Sequence, residues 1–465
     1  MSNNPMYINM PKGVGHTQDG IVDVPSGFNL KRFDITNSKN VTRDIRNIVE
    51  SFSITEELFS PVITLTANIK DTLNFFEDFG ISGQETINVE IEKISNNATI
   101  NALTPIKKIK LKLAVMEYPN YEKLASSPNI QKYSLIAISD FAYLSTLKKI
   151  SRSIKKEVLP NIINIFQNDL GVTISVPAKL PTTMFDGIIT IQSPLKAAEW
   201  LRAKLFDSVG SPFFLYNTIS ENKPRLASWS ELVKTPSYRT YTYKQKLNNT
   251  GITPAAYAEG IYRILEMKSN IKLNKLDLAR AGAFASVVNV TDLGTKTWSQ
   301  QIFNVDKRQN INPNTLLVNE KKLSSIFDTT TGVEYFTAGP NIKPIAFSDM
   351  PNASMVNLEV NTRANPQTNL NATSGAILPN IGNAKAFNAR MNSVTHEVSL
   401  YGDLYLNPGR KIKLEIFKAI NIEKYGNVTD QVDRRISGTY IISLVTHSFS
   451  EGYYTSNIRV LSDKL

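Results

Sequence analysis

The sequence predicts a mainly β protein with an α+β part, in which two antiparallel β-barrel domains flank one α+β domain and the second barrel carries a loop-rich insertion. Apolar and polar residues alternate with period two near both ends of the 465-residue chain, which indicates half-buried strands. Between these regions the apolar residues recur at helical spacing, and a stretch rich in Asn, Pro, Thr and Gly interrupts the later strands. A chain of this length is too long for one hydrophobic core.

The predicted domain boundaries follow these changes of pattern. The arm at the N-terminus is polar and aperiodic, with scattered Gly and Pro. The boundaries are 1–24 for the arm, 25–145 for the first barrel, 146–250 for the α+β domain, 251–308 together with 385–465 for the second barrel, and 309–384 for the insertion.

The first barrel shows its clearest alternation over residues 63–70, 87–91 and 109–115. Between the first two of these strands, Asp71 can cap a short helix and Gly80 can end it in the left-handed conformation. The apolar stripe of that helix would be Leu73, Phe76 and Phe79. We therefore predict a short helix that plugs one end of the barrel.

The α+β domain begins with a helical pattern over 151–171, in which Pro160 must kink or restart the helix and Gly171 ends it. A second helix has Ser193 as its N-cap and Pro194 at its first position, where a proline is favourable. The stretch SPFFLY that follows is too apolar for an exposed strand.

The second barrel is predicted from alternation over 284–290, 394–400 and 412–416 and in the stretch GTYIISLVTHSF, whereas the insertion is expected to have little core of its own. Two short stretches far apart resemble each other: SGQETINVEI at 82–91 and NPGRKIKLEI at 407–416. This similarity suggests that one barrel is a duplicate of the other. A glycine before an alternating strand is common, so the two stretches alone leave the duplication open.

Composition excludes several classes of protein. The net charge of +11 comes from 52 basic and 41 acidic residues that are dispersed, with no like-charge block, zinc-finger spacing or arginine–aromatic alternation typical of nucleic-acid binding. The absence of cysteine excludes disulfides and thiolate metal sites. No apolar run approaches the roughly 18 residues of a membrane span, and no signal-peptide core is present, so we expect synthesis in a cytoplasm and no membrane insertion.

The three histidines do not indicate a metal site. His16 lies in the arm, His396 at an apolar-phase position of a strand and His447 at a polar-phase position. None has a second histidine or a carboxylate at ligand spacing, so hydrogen-bonded strand histidines are expected. We predict no metal and no cofactor.

Paired carboxylates could hide a hydrolase. Glu56 and Glu57 are explained as the solvated end of a hairpin, Asp71 as a helix cap, and Glu77 with Asp78 as an exposed helix face. We therefore predict no catalytic residues and no enzymatic activity.

Three lysines share one face of a predicted strand: Lys108, Lys110 and Lys112. They could be a solvated edge that discourages strand-to-strand aggregation. They could equally form a patch complementary to an acidic partner surface or a neighbouring subunit.

One long stretch and four shorter ones resemble a known family in serial order. SITEELFSPVITLTANIKDTLNFFEDFGISGQETINVEIE (53–92) resembles the first barrel of baseplate hub proteins of contractile-tailed bacteriophages, a family related to the hub part of late-control D and VgrG-type proteins. The other matching stretches are 133–171, 211–218, 400–417 and 437–463.

The resemblance implies a viral structural protein. Hubs of this family are homotrimers whose six tail-tube-like barrels form a ring between the six-fold tail tube and the three-fold central spike, with a channel for DNA. The implied partners are the tail tube or tube-initiator protein, the central spike protein, and the tape-measure and baseplate wedge proteins. DNA would pass without specific binding, and the protein would lie in the virion tail baseplate after assembly in the host cytoplasm.

Several residue-level expectations come with the resemblance. The similar stretches around Gly83 and Gly409 would be equivalent strands of the two barrels. Interface candidates are Leu58 and Phe59 in the FSP hairpin together with Lys108, Lys110 and Lys112, and the lysines are not expected to converge on the channel axis. The chain ends at Leu465 directly after the last barrel strand, so the spike is expected to be a separate polypeptide.

Two alternatives remain open from the sequence. A tail-associated cell-wall hydrolase would show a convergent carboxylate pair in a deep cleft. A surface carbohydrate- or receptor-binding β-protein would show exposed aromatic residues clustered on loops.

Overall fold

The computed structural model describes residues 16–17, 20–21, 28–93, 108–124, 127–154, 157–177, 183, 185, 187–207, 210–243, 262–271, 275–293, 295–304, 352, 354–360, 378–391, 394–417, 432–433, 436–450 and 452–462. The strands are β1 His16–Thr17, β2 Gly20–Ile21, β3 Phe28–Thr36, β4 Thr42–Asp44, β5 Val49–Glu57, β6 Ser60–Asp71, β7 Thr86–Lys93, β8 Lys108–Glu117, β9 Glu122–Leu124, β10 Ser127–Ser139, β11 Ile150–Ile154, β12 Gly187–Gln192, β13 Phe213–Tyr216, β14 Arg225–Ser228, β15 Thr240–Tyr243, β16 Glu266–Ile271, β17 Ala285–Asp292, β18 Thr297–Asn304, β19 Met355–Val360, β20 Val394–Tyr401, β21 Lys411–Ile416, β22 Gly438–Ser450 and β23 Tyr453–Ser462. The helices are α1 Phe75–Asp78, α2 Asp140–Leu147, α3 Val158–Asn164, α4 Pro194–Arg202, α5 Trp229–Lys234, α6 Lys275–Arg280 and α7 Leu378–Met391.

The first barrel is a six-stranded sheet in the order β3-β7-β8-β10-β6-β5, with every neighbouring pair antiparallel. Its strands alternate as predicted, and the inward side chains of β6, such as Ile63 and Leu65, are fully buried. Burying one such side chain stabilises the fold by about 1.5–3 kcal/mol. The segment after β4 closes the wall, because the Ile45 amide donates to the Phe33 carbonyl and the Lys70 amide to the Ile48 carbonyl.

The short helix α1 lies after β6, as predicted. Buried Asp71 accepts hydrogen bonds from the backbone amides of Leu73 (2.9 Å) and Phe76 (3.0 Å), and Gly80 has φ +67°. Phe76 packs against the barrel core together with Phe75 and Phe79. The predicted stripe is wrong at Leu73, which is 71% exposed because it precedes the helix.

The second barrel has the order β15-β21-β22-β23-β20-β16. Thr242 of β15 closes it by exchanging backbone hydrogen bonds with Tyr262 and Ile264, just before β16. The predicted boundary at 250 assigned β15 to the α+β domain, but its parallel pairing with β21 places it in this sheet. Strand β15 consists of four residues, all Thr or Tyr, and their pattern does not show which sheet the strand joins.

The two barrels share one topology. If the six strands of each barrel are numbered in chain order, their order across the sheet is 1-4-5-6-3-2 in both barrels. The first strand runs antiparallel to its neighbour in the first barrel and parallel in the second, and all other neighbours are antiparallel in both. The predicted pair of barrels is therefore one arrangement used twice.

The equivalence extends to single residues. When the two similar stretches are aligned on their shared Glu-Ile ending, cross-strand partners in one barrel fall on cross-strand partners in the other. Even the β-bulge between the fifth and sixth strands coincides, with Met116 and Ser443 as the extra residues. The equivalent pairs, one for each strand after the first, are Ile87 and Ile412, Leu113 and Tyr440, Ala137 and Val460, Leu65 and His396, and Ile54 and Ser269.

The α+β part between the barrels has its own core. Helices α2, α3 and α4 pack with the antiparallel strand pairs β11–β12 and β13–β14 around buried residues such as Ile162, Phe166 and Leu201. Pro160 lies in the first turn of α3, which continues as a π-helix over Ile165–Asp169. Ser193 and Pro194 begin α4 as predicted.

A separate three-stranded sheet in the order β18-β17-β19 lies outside both barrels. The alternation over 284–290 had been assigned to the second barrel, but β17 pairs with β18 and β19 instead. The period of a half-buried strand does not reveal which sheet the strand joins. Val288 and Val290 pack against Ile381 of α7, so the described part of the insertion contributes to a small core. Most of the predicted arm and insertion lies outside the described residues, although β1 and β2 of the arm form a short antiparallel pair.

Candidate functional site

The two barrels are joined edge to edge. Strand β5 of the first pairs antiparallel with the C-terminal half of β22 from the second, so one fourteen-stranded sheet runs through both. On one face of this junction the hydroxyl oxygens of Thr55 and Thr446 lie 3.2 Å apart. On the other face the rings of Phe52 and Phe449 stack at 4.6 Å. The relative position of the barrels is thus set by backbone pairing within one chain.

A buried polar cluster lies under this junction. Glu56 Oε1 is 3.1 Å from His447 Nε2, and the Tyr454 hydroxyl is 2.7 Å from His447 Nδ1. Glu56, His447 and Tyr454 are all fully buried. Burial raises the pKa of the Tyr454 hydroxyl well above its ordinary value, so it stays protonated and can donate to Nδ1. His447 Nε2 can then donate to Glu56 Oε1.

The same carboxylate also contacts the α+β part. The backbone amide of Ile219 donates to Glu56 Oε2 at 2.7 Å. One side chain from the first barrel therefore joins the second barrel and the α+β domain. Desolvated polar groups stay stable only when their hydrogen bonds are made, so this cluster specifies how the three parts pack.

The environments predicted from the sequence for Glu56 and His447 are wrong. Glu56 was expected at a solvated hairpin end, yet the hairpin end is covered by both other parts of the chain. His447 was expected in the polar phase, but the bulge at Ser443 shifts the phase of β22, so His447 shares a face with Val445 and Phe449. The sequence signal for this cluster is a glutamate and a histidine in strands whose other inward-facing residues are apolar.

The second strand histidine is buried inside the second barrel. His396 lies 3.0 Å from both the Ser269 and the Tyr440 hydroxyls, as expected for a hydrogen-bonded core histidine. Burial lowers the pKa of His396 to about 4, which keeps the imidazole neutral at pH 7. His16 lies in β1.

The two hairpin residues predicted as interface behave differently. Leu58 is fully buried within its own chain, and its amide donates to the Ser443 carbonyl at 2.8 Å. Its side chain lies in a cluster with Trp229 and Ile441 of its own chain. Phe59 is 43% exposed, with its ring edge against Phe214 at 5.8 Å.

The predicted lysines lie on the outer face of β8. Lys110 and Lys112 are exposed, and Lys110 Nζ lies 3.4 Å from Glu90 of the adjacent strand. Lys108 is opposite Glu92 in the strand register, and its side chain lies outside the described residues. These positions face acidic or neutral residues of β7 instead of forming an unneutralised patch.

The outer face of the joined sheet is polar across both barrels. One row of directly opposed residues crosses the junction: Glu266, Ser399, Asn457, Thr446, Thr55 and Thr64. A neighbouring row carries the exposed ion pair between Arg459 and Glu397, 2.9 Å apart. The row that crosses the junction is therefore mostly hydroxyl and amide, with Glu266 at its end, and the Arg459–Glu397 pair is mutually neutralised.

The described residues contain no group of three or more His, Asp or Glu side chains placed to hold a metal ion. None of the helices found there is both long and apolar enough to span a membrane.

Comparisons with known proteins define the fold. No family model and no curated protein matches the chain. A tail protein from Neisseria meningitidis MC58 aligns with TM-score 0.51 and 10% identity over 94% of this chain and 97% of its own. A 43 kDa tail protein of prophage MuSo2 from Shewanella oneidensis aligns at 0.49 and 8%, over 93% and 98%. An E. coli type VI secretion component aligns at 0.41 and 9%, over 94% and 76%.

The first of these structures shows that the chain has the fold of a tail protein. The predicted resemblance and the predicted fold class are confirmed at the level of the fold.

Proposed function

We propose that this chain is a structural tail protein and, more specifically, the hub of a contractile-tail baseplate. Three copies would form a ring of six barrels that joins the six-fold tail tube to the three-fold central spike and leaves a channel for DNA. The observation that supports this most directly is the pair of equivalent barrels joined edge to edge in one chain.

Symmetry gives the physical reason. A six-fold tube end presents six equivalent surfaces, whereas a three-fold spike presents three. A trimer with two equivalent barrels per chain matches both within one closed ring. The barrels of this chain have the same strand order, and their second to sixth strands have the same register, so each could offer the tube a similar surface.

The buried cluster suits this role. Because Glu56 binds His447 and the Ile219 amide, the barrels and the α+β domain hold one relative orientation. A ring needs a defined angle between successive barrels, and here half of those angles would be set inside the chain. The α+β domain and the insertion would then lie towards the spike.

The polar face of the joined sheet is our candidate for the channel wall. Hydroxyl and amide groups have no net charge, and the Arg459–Glu397 pair is balanced. Each unpaired cation on a channel wall would add a salt-sensitive contact to DNA phosphates, so a wall with few such cations lets DNA pass. Lys110 and Lys112 are proposed to point away from the channel axis.

The proposed partners are the tail tube or tube-initiator protein on one side of the ring and the central spike protein on the other. Tape-measure and wedge proteins would contact the ring from inside the tube and from its rim. The protein would lie in the virion tail after assembly in the host cytoplasm.

Co-expression tests the proposal. The tagged chain is co-expressed with the tube and spike proteins of the same phage, and the complex is weighed and imaged by electron microscopy. We expect three copies of this chain in a six-lobed ring bound to both partners. A chain that remains monomeric and retains neither partner would overturn the hub assignment.

No observation favours a hydrolase. The carboxylate of Glu56 is fully buried and bound by a histidine and a backbone amide. Asp71 is buried and bound to two backbone amides as a helix cap. The same purified complex incubated with peptidoglycan is expected to release no soluble fragments.

A further inference from the structure

We propose the strand pair that joins neighbouring chains: β16 of one chain pairs antiparallel with β9 of the next, with Lys268 opposite Glu122. This inference rests on the proposed trimeric ring. It names the partner surface as a second copy of this chain and gives the register residue by residue.

The junction inside the chain shows which strand edges join neighbouring barrels. It joins β5, the second strand of the first barrel, to the end of β22, the fifth strand of the second barrel. The second strand of the second barrel is β16. The end of β22 corresponds to β9, since both pair with equivalent parts of the sixth strand. A ring in which every barrel uses the same edges must bring β16 against β9.

Both strands have an open edge in the described structure. Within its sheet β16 pairs with β20 and β9 pairs with β10, and the opposite edge of each has no strand partner among the described residues. Glu266, Lys268 and Asn270 of β16 and Glu122 of β9 are exposed. An open strand edge presents unpaired backbone donors and acceptors that another strand can satisfy.

The register follows from the internal junction, where Ser53 lies opposite Ser448. Lys268 corresponds to Ser53, because each pairs with the equivalent residue of the third strand. Glu122 corresponds to Ser448, because each pairs with the equivalent residue of the sixth strand. Lys268 and Glu122 therefore face each other across the seam.

The charges at this position are complementary. Neither Lys268 nor Glu122 has an ion-pair partner in the part of the chain that the structure describes, and opposite charges directly across two strands attract. Two residues along β16, Asn270 corresponds to Thr55 of the internal junction. The seam between chains is thus polar and partly ionic, and raised salt is expected to weaken it.

Engineered disulfides test the register, because the chain has no cysteine of its own. The variant Glu122→Cys/Lys268→Cys places one thiol on each side of the seam. The matched control is Thr55→Cys/Thr446→Cys, whose parent oxygens lie 3.2 Å apart, within reach of disulfide geometry. The off-register control is Glu122→Cys/Asn270→Cys.

Oxidised full-length protein is examined over a concentration series by non-reducing electrophoresis, with mass measured in parallel by sedimentation. We expect covalent dimers and trimers from the seam variant, an internal disulfide with monomer mass from the matched control, and little cross-linking off register. Trimers that form without the seam disulfide, while the internal control closes, would overturn this strand pair and leave the hub proposal standing. Absence of any trimer, alone or with tube and spike proteins, would overturn both.

Charge exchange gives a second readout. Glu122→Lys places two lysines opposite each other and is expected to weaken trimer association by roughly threefold to fivefold per seam. Adding Lys268→Glu to the same chain restores the opposite charges and should restore most of the association. If the double variant weakens trimer association by as much as the separate effects of Glu122→Lys and Lys268→Glu added together, the two residues do not face each other.

Discussion

Replacing Glu56 by alanine removes the acceptor of two buried hydrogen bonds at the barrel junction. The His447 imidazole and the Ile219 amide would each lose their partner in a region closed to water. A buried donor left unsatisfied costs about 1–3 kcal/mol. We therefore expect Glu56→Ala to destabilise the junction by about 2–6 kcal/mol, more than a typical surface substitution.

Hydrogen exchange measured by mass spectrometry is the suitable assay, because a chain with several domains need not unfold in one step. Exchange in peptides covering β5 and the end of β22 should rise by at least roughly 30-fold, the factor that about 2 kcal/mol gives. Peptides of α4 should change little, since that helix packs in a separate core.

Glu57→Ala is the matched control on the same hairpin, because Glu57 is half-buried beside the cluster. Its effect should stay within about 0.5 kcal/mol. If the peptides of β5 and β22 exchange hydrogen at the parent rate in both Glu56→Ala and Glu57→Ala, the Glu56 carboxylate does not hold the two barrels and the α+β domain together.

Two further substitutions test the interior. His396 has a pKa lowered to about 4, so below about pH 6.5 the unfolded chain binds a proton that the folded chain does not, and stability should fall by up to ~3 kcal/mol between pH 6.5 and 4. His396→Leu, which copies Leu65 of the first barrel, should flatten that part of the curve of denaturation midpoint against pH, and an unchanged slope would contradict the assignment. Leu58→Ala should destabilise by about 2–5 kcal/mol through a cavity, whereas Phe59→Ala should change the midpoint much less. Equal effects of the two changes in thermal denaturation would contradict the buried position of Leu58.

The sequence predicted the elements that depend on local pattern. The alternation of β6 and the cap at Asp71 depend on residues close together in the chain, and both are found in the structure. The shared ending of the two ten-residue stretches predicted equivalent strands, and the strand registers agree with that alignment.

The features that the sequence missed depend on distant partners. Glu56 and His447 are 391 positions apart, and nothing in either neighbourhood shows that their strands are adjacent. The phase of His447 depends on a single bulged residue, Ser443, which pattern alone does not reveal. Strands β15 and β17 were assigned to the wrong part because alternation predicts a strand but not its sheet.

In the proposed ring, the buried cluster also distinguishes the two kinds of seam. At the seam between chains, Ile271 of β16 holds the position equivalent to Glu56, and residues 108–124, which include β9, contain no histidine. If β5 paired with β9 of another chain, Glu56 would lose its contact with the imidazole, and a buried hydrogen bond left unmade is unfavourable. Such a penalty would exclude rings built from first barrels alone. First and second barrels would then alternate, and this alternation reduces a six-fold arrangement of barrels to the three-fold symmetry that a spike requires.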